Sequence, residues 1–319
     1  MARLSNDTGD LVPRTSFEGP ELRFDFAGLE IGVAEYDEGP TGCTVFLFPD
    51  GAASSIDIRG GSPGVSGAGY DAVHAVCLAG GSLYGLEAAA GVAAELLARR
   101  DYRTGWLEIP LVAGAIIFDW GPRDNAIYPD KELGRAALRA ARAGVFPLGP
   151  RGAGRSATAG KLFAYEEGEP AGQGGAFRQV GETKVAVFTV VNAVGAIVDR
   201  DGNVVLGHYD RQSGLRRPLV PGVEERLAGG RPVRPPPGNT TLTVVATNLL
   251  LDPRQLRTLG RQVHASMARA IQPFHALEDG DVLFAITTGT VESDPLLDTT
   301  ALGVVASELA WDAVLSVVV

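Results

Sequence analysis

Residues 238–241 read Gly-Asn-Thr-Thr, and the hydroxyls there invite a chemical reading. A threonine hydroxyl is a weak nucleophile until a base takes its proton. Histidine is one such base. The α-amine of a chain terminus is another, because its unperturbed pKa of about 7.7–8.0 suits neutral pH. An internal threonine acquires that amine only if the peptide bond before it breaks. The chain must be exposed enough there to bend, and held by structure afterwards. Asn239–Thr240 meets both conditions: GGRPVRPPPG precedes it, and the β-branched TLTVVA follows it. The Thr240 hydroxyl would attack the Asn239 carbonyl, the acyl group would shift from nitrogen to oxygen, and hydrolysis would release it. Local physics alone favours a plainer reading, in which GNTT is a turn into a strand.

Two other catalytic patterns nearly form. GRSATAGKL places five residues between Gly154 and Gly160-Lys161, where a phosphate-binding loop needs four, and Leu162 stands where that loop needs Ser or Thr. GGSLYG lacks the second glycine of Gly-x-Ser-x-Gly, since Tyr84 occupies its place, so Ser82 is expected to cap a helix instead. The four histidines, His74, His208, His264 and His275, show no ligand-like spacing, and His264 reads as a surface or core residue within a helix. A histidine-based triad therefore has little support. No metal ligands are evident and no cofactor is expected.

The elements that must position Thr240 follow from punctuation by 42 Gly and 20 Pro. Strands are expected at 29–36 and 43–48, a glycine-rich loop at 60–69, a helix at 82–99, a buried strand at 107–117 and a helix at 131–143. A long loop at 149–161 leads to strands at 184–190 and 193–199, with a turn at 201–203 into another short strand. Residues 222–238 read as an exposed linker, too rich in proline for a helix or central strand. A strand at 241–246, a helix at 252–271 opened by Asp-Pro, a strand at 281–287 and a helix from 299 to the C-terminus complete an α/β pattern.

Composition narrows the classes. The balance of 28 Lys+Arg against 38 Asp+Glu gives a net charge of −10 and no basic stripe, which argues against nucleic acid as a partner. No apolar run approaches the ~18 residues of a membrane span, and the charged N-terminal stretch has no signal-like core. Cys43 and Cys77 sit in apolar stretches and are expected to be buried, reduced thiols. A cytoplasmic protein is expected.

Several blocks together resemble the L-aminopeptidase/D-esterase superfamily of self-processing hydrolases, and its nylon-oligomer branch in particular. GNTTLTVVATNLLLD is similar to that superfamily's cleavage region, and GPTGCTVFLFPDGAASSIDIRGGSPG to its N-terminal strand pair and Arg-Gly-Gly loop. LAGGSLYGLEAAAGV, IPLVAGAIIFD, GAGRSATAGK, VVNAVGAIVD and DGDVLFAITTG resemble further blocks, in order, from about Phe17 to the C-terminus. The resemblance implies autocleavage at Asn239–Thr240, with Thr240 as nucleophile. It further implies catalytic roles for Lys161, as a buried ammonium, and for Asn192, as an oxyanion donor. Asp279 and Asp281 would hold the new α-ammonium. Asn192 also stands out on its own in the apolar run VFTVVNAVGAIV. The Asn-Thr junction and the Asp/Asp pair both lean toward the nylon branch, since peptidase members tend to carry Gly-Ser and a Ser/Glu pair.

The implied fold is a four-layer α/β/β/α sandwich of the N-terminal-nucleophile kind with its own topology. Residues 1–239 would form a large chain and 240–319 a small one within a single domain. A homotetramer of processed pairs is implied. The expected activity is hydrolysis of linear amides such as 6-aminohexanoate oligomers. Alternatives are an aminopeptidase acting on short D-, L- or β-amino-acid peptides, an acyltransferase with the same self-cleaved threonine, and a binding protein retaining a dead site.

Overall fold

A computed structural model describes residues 3–318. The first strands are β1 (Glu30–Tyr36), β2 (Thr41–Ile58) and β3 (Ala72–Ala79), followed by helix α1 (Glu87–Arg99), β4 (Val112–Ile116) and α2 (Lys131–Arg139). Next come β5 (Gly172–Val180), β6 (Thr183–Asn192), α3 (Leu219–Ala228), β7 (Thr240–Leu249), α4 (Pro253–Ser266), β8 (Val282–Val291) and α5 (Thr299–Leu315).

β2 organises the architecture. Its first half pairs with β1 and β3, through Tyr36↔Thr41 and Cys43↔Ala79, while its second half pairs with β8 through Val282↔Ile58. The register with β3 shifts between Leu47 and Ala52, and an irregularity of this kind lets one strand bend from one sheet into another. One layer is therefore β1-β2-β3-β4, and the other is β5-β6-β7-β8 closed by the end of β2. The β7–β8 pair is parallel, and β5–β6 and β6–β7 are antiparallel.

Alternation along the strands sorts side chains into three cores. Phe46 and Phe48 from one layer meet Phe188, Val190, Leu242, Val244 and Phe284 from the other, filling the space between the sheets. The opposite faces carry Val45 and Cys77 against α1 and α2, and Val187, Val245 and Leu283 against α4 and α5. Three interfaces make four layers, α/β/β/α. Each fully buried Phe or Leu contributes about 1.5–3 kcal/mol. Cys43 and Cys77 are buried and free.

Several expectations need correction. The strand at 43–48 continues to Ile58, because its change of partner keeps the backbone paired. The stretch at 107–117 forms a strand only over Val112–Ile116, and Leu107 lies exposed in a short 3-10 turn. Residues 82–86 are 3-10 rather than α, and Ser82 sits inside that turn at φ 52 instead of capping it. The second helix stops at Arg139, and the helix at 252–271 ends at Ser266, with a 3-10 turn after it. The linker keeps only its second half, because Leu219–Ala228 is helical. Pro221 falls in the first turn of that helix, where its missing N–H has no partner to lose. The C-terminal helix is seen to Leu315, and residue 319 lies outside the described residues.

Candidate active site

β6 and β7 bring the first two site residues together. Even-numbered residues of both strands face the inter-sheet core, and the register pairs Asn192 with Thr240 at the rim of that core. Residues 229–238 are mostly exposed, whereas Asn239 and Thr240 are buried. The peptide bond between those two therefore lies where free chain enters a central strand.

The hydroxyl of Thr240 donates to the carbonyl oxygen of Asn239. The same oxygen accepts the Gly280 N–H at 2.8 Å. Gly280 lies in the segment Asp279-Gly280-Asp281 that leads into β8, and this segment fits only because two glycines allow it. A Cβ on Gly280 would lie 2.7 Å from Thr240 Oγ1 and 2.7 Å from the Ser62 carbonyl. A Cβ on Gly60, in the Arg-Gly-Gly loop, would lie 2.5 Å from the Asp279 carbonyl. That loop is tied on by the Arg59 and Ser62 N–H groups, which donate to the Asp281 and Asp279 carbonyls at 3.1 and 2.9 Å.

Lys161 is 2% exposed, and its Nζ donates to the backbone oxygen and to Oδ1 of Asn192 at 3.2 and 3.1 Å. Burial lowers its pKa to about 7, against the opposing pull of Asp279. Its backbone N–H donates to the Val194 carbonyl at 2.8 Å, which ties the loop at 149–161 to the strand end. Asn192 Oδ1 also accepts the Thr158 N–H at 3.0 Å. Asn192 Nδ2 donates to the carbonyls of Phe118 and Gly238, at 2.9 and 3.2 Å, and not to the Asn239 carbonyl. Its partner Gly238 belongs to the linker.

The two aspartates, both fully buried, have different environments. Asp281 has both oxygens engaged: Oδ1 accepts the Thr241 N–H at 2.7 Å, and Oδ2 accepts the His275 backbone N–H at 3.0 Å and faces its Nδ1 at 3.1 Å. Asp279 accepts the Val194 N–H on Oδ1, and its Oδ2 is buried without a partner. Desolvation, with the charge of Asp281 second, raises the Asp279 pKa. Thr240, Lys161, Asn192, Asp279 and Asp281 thus lie within one hydrogen-bonded cluster.

Sequence reasoning missed Gly280 and His275. The signal for Gly280 was the glycine between two aspartates. His275 carried none, because only the turn at 276–280 folds it back onto Asp281. Behind it, the His264 ring packs edge-on at 4.4 Å between centroids, and His264 Nδ1 meets Asp57 Oδ2 at 2.9 Å. Among the described residues no group of three or more His, Cys, Asp or Glu is placed to hold a metal ion, and no helix is long and apolar enough to cross a membrane.

Two cavities flank Gly238 and Asn239. One, of about 270 Å³, is lined by Lys161, Tyr165, Pro122 and residues 236–239. The other, of about 330 Å³, is lined by Thr240, Leu83, Ile116 and Glu278. Phe118 borders both.

Residues 24–319 match the family described as Peptidase family S58. The chain is 49% identical to a 6-aminohexanoate-oligomer endohydrolase of Agromyces sp. (strain KY5R), covering 97% of this chain and 89% of that protein. It is 34% identical to an uncharacterized aminopeptidase of Mycobacterium leprae (strain TN), over 81% and 73% of the two chains. Its fold is similar to that of the L-aminopeptidase D-Ala-esterase/amidase from Ochrobactrum anthropi, described as a variant of the Ntn hydrolase fold. That likeness has a TM-score of 0.67 at 17% identity, over 95% of this chain and 88% of that one. With this architecture, and with a family match spanning both sheets and every residue of the cluster, the chain belongs to peptidase family S58.

Proposed function

We propose that this chain cuts its own Asn239–Thr240 bond and then hydrolyses linear amides through Thr240, attacking internal bonds of 6-aminohexanoate oligomers. One observation carries the reading. The Thr240 hydroxyl lies on the Asn239 carbonyl, whose oxygen the Gly280 N–H already holds at 2.8 Å. In self-cleavage, Thr240 Oγ bonds to the Asn239 carbonyl carbon while its proton passes to a neighbouring base. The negative charge that develops on the Asn239 oxygen falls on the Gly280 amide, an oxyanion donor held in place in advance. The Thr240 nitrogen takes a proton as the C–N bond breaks, leaving an ester. Water then splits the ester, giving a carboxylate on Asn239 and returning the hydroxyl of Thr240 beside a free amine. Neutral Lys161, with a pKa near 7, is the base we assign to the first step.

After the cut, the new α-amine takes over as base for external amides. Asn192 Nδ2 loses Gly238 as partner when the linker withdraws, and becomes the donor for the substrate oxyanion. The unpartnered Oδ2 of Asp279 receives the α-ammonium, while Asp281 holds the start of β7 through the Thr241 N–H. The substrate class comes from the relative that shares 49% of its residues with this chain. We assign the working form as a homotetramer of processed pairs in the cytoplasm. Free Cys43 and Cys77 suit a reducing compartment, and the exposed Trp106 and Leu107 suit a subunit interface.

Denaturing mass analysis of purified protein tests the first claim. The 33.3 kDa chain divides in proportion to 239 and 80 residues, giving fragments of about 25 and 8 kDa, and Thr240→Ala stays whole. Incubation with 6-aminohexanoate oligomers then gives mixed-length products early. Single units released from one end mark an aminopeptidase, and no hydrolysis without an added amine acceptor marks an acyltransferase.

A further inference from the structure

The two cavities beside Gly238 and Asn239 differ in how much of the uncut linker lines them. We propose that they are the two halves of one substrate groove with a fixed polarity. The cavity beside Lys161 and Tyr165 takes the acyl part of the substrate, and the cavity beside Leu83 and Glu278 takes the departing amine. This assignment rests on the reading of Thr240 as a self-cleaving nucleophile.

The uncut chain is itself an amide poised on that nucleophile, so its path marks the groove. The atoms on the acyl side of its scissile carbonyl belong to Asn239, Gly238, Pro237 and Pro236, and all four residues line the cavity beside Lys161. Only the last two of that path, Gly238 and Asn239, border the other cavity, where Thr240 itself is part of the wall. On the nitrogen side the uncut chain runs into buried β7, a route no external molecule can follow. A substrate presenting its carbonyl to the same hydroxyl must therefore lay its acyl chain where residues 236–239 lay. Its nitrogen side then points toward the other cavity, which Pro236 and Pro237 do not line.

The linings fit this polarity chemically. Once the linker has withdrawn, the acyl-side cavity keeps Phe118 and Pro122 as its apolar wall and Ser156, Thr158, Lys161 and Tyr165 as its polar groups, and the buried Tyr165 hydroxyl lacks a hydrogen-bond partner. A buried hydroxyl without an acceptor is costly unless a ligand supplies one. An unbranched methylene chain carrying a further amide supplies both the apolar contact and the missing acceptor. The amine-side cavity offers Leu83 and Ile116 for methylenes, with Glu278 as its carboxylate. A negative charge there favours the ammonium that the departing amine becomes, and disfavours a terminal carboxylate close to the cut. In the reaction, a bond forms between Thr240 Oγ and the substrate carbonyl carbon, and the substrate C–N bond breaks. The hydroxyl proton passes through the α-amine to the leaving nitrogen, and water later restores the hydroxyl.

The test uses processed enzyme, with the cut verified by mass, and two substrate series. One series keeps a p-nitroanilide leaving group and compares hexanoyl with 6-acetamidohexanoyl as the acyl part. The other keeps a hexanoyl group and compares short with long aliphatic leaving amines. Tyr165→Phe should lower the preference for 6-acetamidohexanoyl, as a ratio of kcat/KM, by about 2- to 10-fold, the loss expected for one neutral hydrogen bond, and leave the leaving-amine ratio unchanged. Leu83→Trp, which needs no change near Tyr165, should alter only the leaving-amine ratio. The reversed pattern, or no change in either ratio for both variants, overturns the assignment. A wild-type chain that stays uncut or cleaves neither series refutes the self-cleaving hydrolase itself, which is a different outcome.

Discussion

Substituting Gly280 by alanine tests whether its backbone amide drives self-cleavage. The new methyl would sit 2.7 Å from the Thr240 hydroxyl oxygen and 2.7 Å from the Ser62 carbonyl, closer than carbon and oxygen can approach. The segment at 279–281 must shift, and the Gly280 N–H then leaves its 2.8 Å bond to the Asn239 carbonyl. Removing one donor from an oxyanion costs about 2.7–4 kcal/mol in the barrier, or about 10²–10³ in rate. The assay follows the intact 33.3 kDa chain by denaturing mass after a short pulse of synthesis. Gly69→Ala is the control, since a Cβ there meets nothing within 4 Å. A thermal melt of each variant separates slow chemistry from poor folding. Cleavage of a folded Gly280→Ala chain at the unmodified rate would falsify the role of this amide.

Three further outcomes follow from the same geometry. Self-cleavage should speed up with rising pH through about 7, as the buried Lys161 loses its proton, and fall about tenfold per unit below that; in Lys161→Arg this limb should vanish, and a rate that declines above pH 7 would instead assign the ammonium as the working form. His275→Ala removes the ring contact to Asp281 and should slow both cleavage and amide hydrolysis by about tenfold, the scale of one bond to a charged group, whereas His275→Asn suits its left-handed backbone at φ 63 and should recover part of the loss, as stopped-assay rates would reveal. Arg123 is buried against Asp119 at 2.6 Å and donates to the carbonyls of Gly39 and Ile127, so Arg123→Met should lower stability by about 3–5 kcal/mol in urea titrations by leaving Asp119 without its cation.

The elements themselves were largely legible in the sequence, because strand and helix depend on neighbours within a few residues. The run TLTVVA, the Asp-Pro start at 252 and the alanine-rich helix around 87–99 each declare their state locally. So did the abrupt passage from proline-rich chain to strand at Asn239–Thr240. The errors came where a local cue was read too broadly or a tertiary contact overrode it. Pro221 is harmless in a first helical turn, and β2 runs past residue 48 because a second sheet waits to pair with it.

The cluster was legible in part. Its residues could be named by resemblance, but their division of labour could not. Asp279 and Asp281 are two residues apart in one short turn, and nothing local distinguishes them. Only the fold sets Thr241 and His275 against Asp281 while leaving an oxygen of Asp279 free. The Gly280 donor and the clearance around it depend on Gly60 and Ser62, more than 200 residues away along the chain. Sequence by itself determined which reactive groups the candidate site can offer, because hydroxyl, ammonium and carboxylate are properties of residues. The tertiary structure decided which oxygen each donor holds, because that depends on strand register and on contacts between segments remote in sequence.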